Sequence, residues 1–188
     1  MTDDPLDALR RVVDACEEVG VGYAVIGAVA RNAWAPPRAT TDIDFAISVG
    51  AGGYDALVVA LERRGLTIKR KICTEPDATV PDILLLEAAS GVVRRVDLLI
   101  AKTPFEGEAI AQAVPKDIGA QCRVVRPEHL IVYKLIAGRS RDVTDAEDVA
   151  RTCELGGTAL DWSLVERWAV EWGVEDRLQR LRQETDPT

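Results

Sequence analysis

Apolar residues recur at helical spacing near the start of the chain. Leu6, Leu9, Val12, Val13 and Cys16 share one face and predict a helix over 5–19. Gly20 and Gly22 close it, and the unbroken run Tyr23-Ala24-Val25-Ile26 predicts a short buried strand. Gly27 leads into a predicted helix over 28–34, stopped by Pro36-Pro37. From Asp42 the pattern alternates, with Ile43, Phe45 and Ile47 on one side, and predicts a strand that ends by Gly50. Gly52-Gly53 open a helix with Tyr54, Leu57, Val58 and Leu61 on one face. Strands follow over 66–72, 82–87 and 92–100, the last two joined as an antiparallel hairpin through Ala89-Ser90-Gly91. Beyond Pro127 the pattern turns helical over 128–137, 144–155, 160–172 and 175–183, with Asp186-Pro187-Thr188 frayed. The expected organisation is an α/β core over 1–126 and a helical C-terminal portion over 127–188 packed on it, with no internal repeat.

The length of 188 residues and the 47% hydrophobic content suit one well-buried domain, or a compact domain with a helical extension. No apolar run reaches membrane-spanning length, and the acidic start Met1-Thr2-Asp3-Asp4-Pro5 lacks the basic opening of a secretory signal, so a cytoplasmic protein without membrane association is expected. Cys16, Cys73, Cys122 and Cys153 are widely scattered, which favours reduced thiols over a disulfide framework or a zinc knuckle. A net charge of −8 argues against broad, non-specific duplex binding but leaves room for a local basic patch. His129 is the single histidine, so mechanisms built on histidine clusters are set aside. It reads as structural or solvent-facing. Trp162, Trp168 and Trp172 read as helix-packing or partner-facing residues.

The candidate chemistry begins at Asp42-Ile43-Asp44, where a loop becomes a strand. Alternate strand residues share a face, so both carboxylates project together, roughly 6.5 to 7 Å apart along the backbone. Two like charges side by side repel, and a divalent cation removes that cost. The pair therefore reads as a possible metal-phosphate site. A calcium or ion-pair site with a purely structural role is the bland alternative.

Three further features suit the same site. Gly27, between a strand and a helix, lets backbone approach a phosphate; it could equally be a simple tight turn. Asp97 lies inside the apolar strand Val96-Asp97-Leu98-Leu99-Ile100, where a carboxylate is costly unless it binds metal or pairs with Arg95, its same-face neighbour. Lys134 interrupts an apolar helix and could reach a triphosphate, or it could snorkel its head to water. Arg139 and Arg141 add positive charge nearby. Thr144-Asp145-Ala146-Glu147 fits a capping box, and Asp145 could favour the helix dipole or fix Lys134 or an arginine.

In order, Gly27, Asp42-x-Asp44 and Asp97 resemble the signature of the nucleotidyltransferase superfamily with a DNA-polymerase-β-like fold. The stretch from Ile26-Gly27-Ala28 through Arg38-x-Thr40-x-Asp42-Ile43-Asp44-Phe45 is similar to a subgroup of small bacterial proteins that includes AbiEii-type and MenT-type toxins. Lys134-Leu135-Ile136-Ala137 with Arg141-Asp142 and Asp145 is similar to that group's second-half motif. The chain departs from the superfamily in carrying Gly27-Ala28 where Gly-Gly or Gly-Ser is usual, which removes a hydroxyl from the phosphate cradle.

The resemblance implies an α/β (α+β) nucleotidyltransferase fold, with a mixed central sheet flanked by helices and a C-terminal helical portion. It also implies a two-metal Mg²⁺ site on Asp42, Asp44 and Asp97 that bridges the triphosphate of an NTP such as ATP. Asp97 would complete the second metal site and help deprotonate an acceptor hydroxyl. Gly27, Ala28, Arg38, Lys134 and Asp145 are the implied nucleotide-binding residues. The expected reaction is NMP transfer from an NTP to a hydroxyl of an RNA end, a protein or a small molecule, with tRNA the leading acceptor, in a toxin–antitoxin-like setting with an antitoxin partner. An RNA acceptor would call for one basic face built from Arg31, Arg38, Arg94, Arg95, Arg139 and Arg141. The rival expectation is a non-catalytic nucleotide- or partner-binding protein that keeps the fold.

Overall fold

The alternating apolar positions of the N-terminal two-thirds build one mixed sheet. In the computed structural model, which describes residues 6–50, 52–73, 82–89 and 95–185, its strands are β1 (Gly22–Ile26), β2 (Asp42–Ser48), β3 (Leu66–Ile72), β4 (Asp82–Ala88), β5 (Arg95–Ile100), β6 (Val114–Asp117) and β7 (Gln121–Val124). They lie side by side in the order β3-β4-β5-β2-β1-β7-β6. β2 is antiparallel to β1 and parallel to β5, and β4 is antiparallel to both β3 and β5. β7 meets β1 in parallel at Val25↔Val124 and turns back antiparallel into β6. The antiparallel pairing of β4 with β5 is the one expected; the turn at Ser90-Gly91, residues 92–94 and the segment 186–188 lie outside the described residues.

Period-two alternation divides the central strands into two faces. Tyr23, Val25, Ile43, Phe45, Ile47, Leu84, Leu86, Val96 and Leu98 are buried on one of them. Helices α1 (Asp7–Val19) and α3 (Gly53–Arg63) pack on each other, and Tyr23 reaches Glu17 of α1 through its hydroxyl at 3.5 Å. The other face carries Gly22, Ala24, Asp44 and Ala46 in register. Those small residues make room for α4 (Pro104–Ala111), since a Cβ on Gly22 would lie 3.2 Å from Ile110.

Clustering of backbone contacts divides the chain into two compact units. One comprises residues up to 29 together with 39–125 and contains the sheet; the other comprises 30–38 together with 126 onward. In the second unit, α5 (Pro127–Ala137) packs on α6 (Ser140–Leu155) and α7 (Trp162–Glu171), and α8 (Glu175–Thr185) packs on α6 and α7. α5 is buried nearly all round, with Leu130, Ile131, Val132 and Leu135 inside, so it reads as a continuous apolar run rather than a stripe. The short helix α2 (Gly27–Asn32) begins in the first unit and ends in the second.

Two local expectations are corrected. Thr144 does not cap a helix: α6 already begins at Ser140, and Thr144 Oγ1 donates back to the Ser140 carbonyl at 3.3 Å. The apolar pattern hid the earlier start, because Arg139, Ser140 and Arg141 are polar and exposed. The capping box that does form is Thr103-Pro104-Phe105-Glu106 at α4, where the Thr103 hydroxyl accepts from Glu106 N and Glu106 accepts from Thr103 N at 2.9 Å. Helix α4 and the hairpin β6–β7 were not anticipated.

Candidate active site

Asp42 and Asp44 leave β2 on the same face, and the parallel register with β5 sets Asp42 opposite Arg95 and Asp44 opposite Asp97. The result is a square of four charged positions on two adjacent strands, three of them carboxylates. Neighbouring strands lie about 4.8 Å apart, so the acidic groups of the square are held within strong mutual repulsion. Arg95 relieves part of it. Its guanidinium donates to both oxygens of Asp97, at 3.1 and 2.8 Å, and the pair was one of the two readings open for Asp97 from sequence. Asp97 and then Asp42 and Asp44 hold the Arg95 guanidinium above its ordinary pKa. Asp42 in turn accepts from the Thr40 hydroxyl at 2.9 Å, which fixes its approach at the mouth of the strand.

Gly27 follows β1 directly, with φ +64°, and its missing side chain is what gives Asp44 its place. A Cβ there would lie 2.7 Å from Asp44 Cγ and 2.9 Å from its Cβ, closer than such contacts allow. The tight turn and the close approach of backbone to the carboxylate are therefore one feature.

The donor set suits a hard divalent cation such as Mg²⁺. It is all oxygen, the carboxylates share one face, and Gly27 leaves room beside Asp44. Among the described residues no three acidic, histidine or cysteine side chains already converge as a metal cage. Magnesium commonly takes one or two carboxylates and fills its shell with water and substrate phosphate, so the carboxylates and the substrate would share the coordination.

The second unit holds a buried charge network. Lys134 Nζ, on a side chain 9% exposed, donates to Asp142 at 2.9 Å and to Asp145 at 2.8 Å. Arg38 grips Asp145 with two bonds, Nε at 2.9 Å and a terminal nitrogen at 2.7 Å. Arg31, 3% exposed, lies 3.5 Å from Asp145 and also pairs with Asp148. Burial pushes the carboxyls of Asp142 and Asp145 up, but hydrogen bonds from Arg139 and Lys134 to the first, and from Arg38 and Lys134 to the second, more than offset it. Both are held below the usual carboxylate range. Asp145 thus fixes Lys134 and two arginines at once. Arg38, Asp148 and Arg139 are the members that also reach solvent, with side chains 24%, 38% and 78% exposed.

These pairings bear on the basic face expected of an RNA binder. Arg31 is buried, while Arg38, Arg95 and Arg139 each grip an aspartate. Arg94 lies outside the described residues. His129 is fully buried in α5, and Trp168 is largely buried in α7. Burial raises the Cys16 thiol to about 12 and the Cys122 thiol to about 11, which makes both packing groups rather than nucleophiles. No described helix is long and apolar enough to cross a membrane.

The mixed sheet with its flanking helices has the nucleotidyltransferase fold. Solved structures agree. Over 95% of both chains, this one superposes on the antibiotic-resistance factor ANT(2'')-Ia with a TM-score of 0.58 at 15% identity. An antigenic nucleotidyltransferase-like protein from Paracoccidioides brasiliensis matches with a TM-score of 0.52 at 16% identity, over 97% of this chain and 94% of the other. The lincosamide antibiotic adenylyltransferase LnuA, in its lincomycin-bound form, matches with a TM-score of 0.52 at 14% identity, over 79% of this chain and 98% of the other. No protein-family model and no curated protein matches the sequence.

Proposed function

We propose that this protein transfers the NMP of a nucleoside triphosphate to a hydroxyl group of a small-molecule acceptor in a Mg²⁺-dependent reaction, breaking the α–β phosphoanhydride and releasing pyrophosphate. The observation that carries the reading is the register of Asp44 against Asp97, with Asp42 on the same face and Gly27 cleared of any side chain beneath Asp44. Asp42, Asp44 and Asp97 are the residues that would hold the metal. When bound, Mg²⁺ supplies charge neutralisation at the oxygens of an in-line phosphoryl displacement.

The chain's own residues do the rest. Asp97 takes the proton of the acceptor hydroxyl, a role suited to a carboxylate that gives up its arginine partner. The backbone at Gly27 and Ala28 cradles phosphate oxygens without a side chain in the way. Within the helical unit, Arg38 is a guanidinium fork preorganised by Asp145, which also accepts from Lys134.

A small acceptor is favoured over tRNA because Arg31 is buried and Arg38 is held by Asp145, on a chain of net charge −8. Two proteins of the same fold are named as an antibiotic-resistance factor and a lincosamide antibiotic adenylyltransferase, which supports the same acceptor class. The test is incubation with each α-labelled NTP, Mg²⁺ and separate pools of hydroxylated small molecules and total tRNA. Label on a small molecule, lost with Asp44→Ala, supports the proposal. Label on tRNA alone would move it to the toxin-like reading, and no label on any acceptor, with nucleotide binding unchanged in Asp42→Ala and Asp44→Ala, would leave a binding protein.

A further inference from the structure

The carboxylate square holds a cation that belongs to the chain. Arg95 stands at its fourth corner, opposite Asp42 and two residues before Asp97, and grips both Asp97 oxygens. Its side chain is nevertheless 60% exposed, against 13% for Asp97. An ion pair in that setting is weak, and the long side chain can swing away without opening the core. Asp97 is different. It is fixed on a central strand between β4 and β2, with Leu85 and Asp44 as its cross-strand partners. A guanidinium on both oxygens takes about two of the carboxylate's four lone-pair sites and sets a positive charge beside any metal bound there, so the two cations compete for one carboxylate.

We infer that Arg95 is a tethered counter-ion that occupies Asp97 in the metal-free protein and must release it before a divalent metal can bind there, so that Arg95 sets the metal affinity of the site. The inference rests on the metal-holding reading of Asp42, Asp44 and Asp97. It gives the chain a way to hold three neighbouring carboxylates in place between catalytic cycles. It also couples loading to substrate: a nucleotide that brings the metal with it supplies the extra attraction needed to displace the arginine, whereas free metal at low concentration does not.

The experiment is Mn²⁺ titration of the metal-free full-length chain, with free Mn²⁺ followed by electron paramagnetic resonance, together with thermal melts at each concentration. Arg95→Gln should bind Mn²⁺ roughly five-fold more tightly than wild type, the factor corresponding to about 1 kcal/mol. It should also melt lower than wild type without metal and gain more on adding it. Arg95→Lys, which keeps the charge, should stay within two-fold of wild type, on the order of the scatter of an exposed pair. Unchanged or weaker binding in Arg95→Gln, while Asp42→Asn abolishes binding, would overturn the counter-ion role and leave the metal site standing. Binding that is the same in wild type, Asp42→Asn and Asp97→Asn would overturn both, because the carboxylates would then hold no metal. Should Arg95→Gln fail to fold, Arg95→Met carries the same comparison, and Arg95→Met binding no more tightly than wild type would count against the inference.

Discussion

Gly27 sits at φ +64° directly against the Asp44 carboxylate, so it answers to two constraints at once. Alanine there would strain the backbone and push on Asp44. Gly27→Ala is expected to cost about 1–3 kcal/mol in urea denaturation and to remove transfer activity even where the protein still folds. An Asp44→Asn protein should do the opposite in the first respect. With a like charge removed from the square, its metal-free melting temperature should equal or exceed that of wild type, measured by differential scanning fluorimetry in EDTA. At this scale the sequence was informative where spacing alone decides geometry: Asp42 and Asp44 had to share a face, and Asp97 with Arg95 likewise. It offered Asp145 an arginine partner but could not name Arg38, since 107 positions separate the two and no local period connects them.

Between elements, α5 and α6 are joined by charge as much as by apolar packing. Lys134 of α5 is enclosed with Asp142 and Asp145 of α6, so removing the amine leaves two buried carboxylates short of a partner. Lys134→Met should destabilise by about 3–5 kcal/mol, read from the shift in urea midpoint. Both carboxyls are held below their ordinary range, so the folded state takes up protons at lower pH than the unfolded chain. The stability they contribute is complete above about pH 4 and is lost as pH falls through their lowered folded values. The melting temperature should therefore drop steeply below about pH 4, and Asp145→Asn should flatten that limb. The end of α5 is secured differently: Gly138 caps it at φ +63°, and Arg177 of α8 donates to the carbonyls of Leu135 and Ile136 at 2.5 and 3.0 Å. Most elements were legible from apolar period. The exceptions have physical causes: α4 carries no marked stripe, so only its Thr103–Glu106 box announced it, and β6 is a four-residue edge strand interrupted by Pro115, where proline is tolerated.

For the whole molecule, the sheet with its helices was legible because most of its strands follow one another as neighbours. The membership of 30–38 in the helical unit was not, because it is fixed by long-range charge pairing. A fragment containing only 126–188 would lack Arg31 and Arg38, leaving Asp145 with Lys134 alone from its set of cations. That fragment is expected to show no cooperative thermal transition by circular dichroism, while adding the 30–38 peptide in trans should restore part of its helicity. The same arrangement orders events in time. When residues 30–38 leave the ribosome, the helices they join have not yet been made, and their aspartate partners follow more than a hundred positions later. Closing so large a loop carries an entropic cost that a local hairpin avoids. Refolding should accordingly show the sheet's protection in hydrogen exchange first, with protection of 30–38 and α6 arriving together as a later, slower phase.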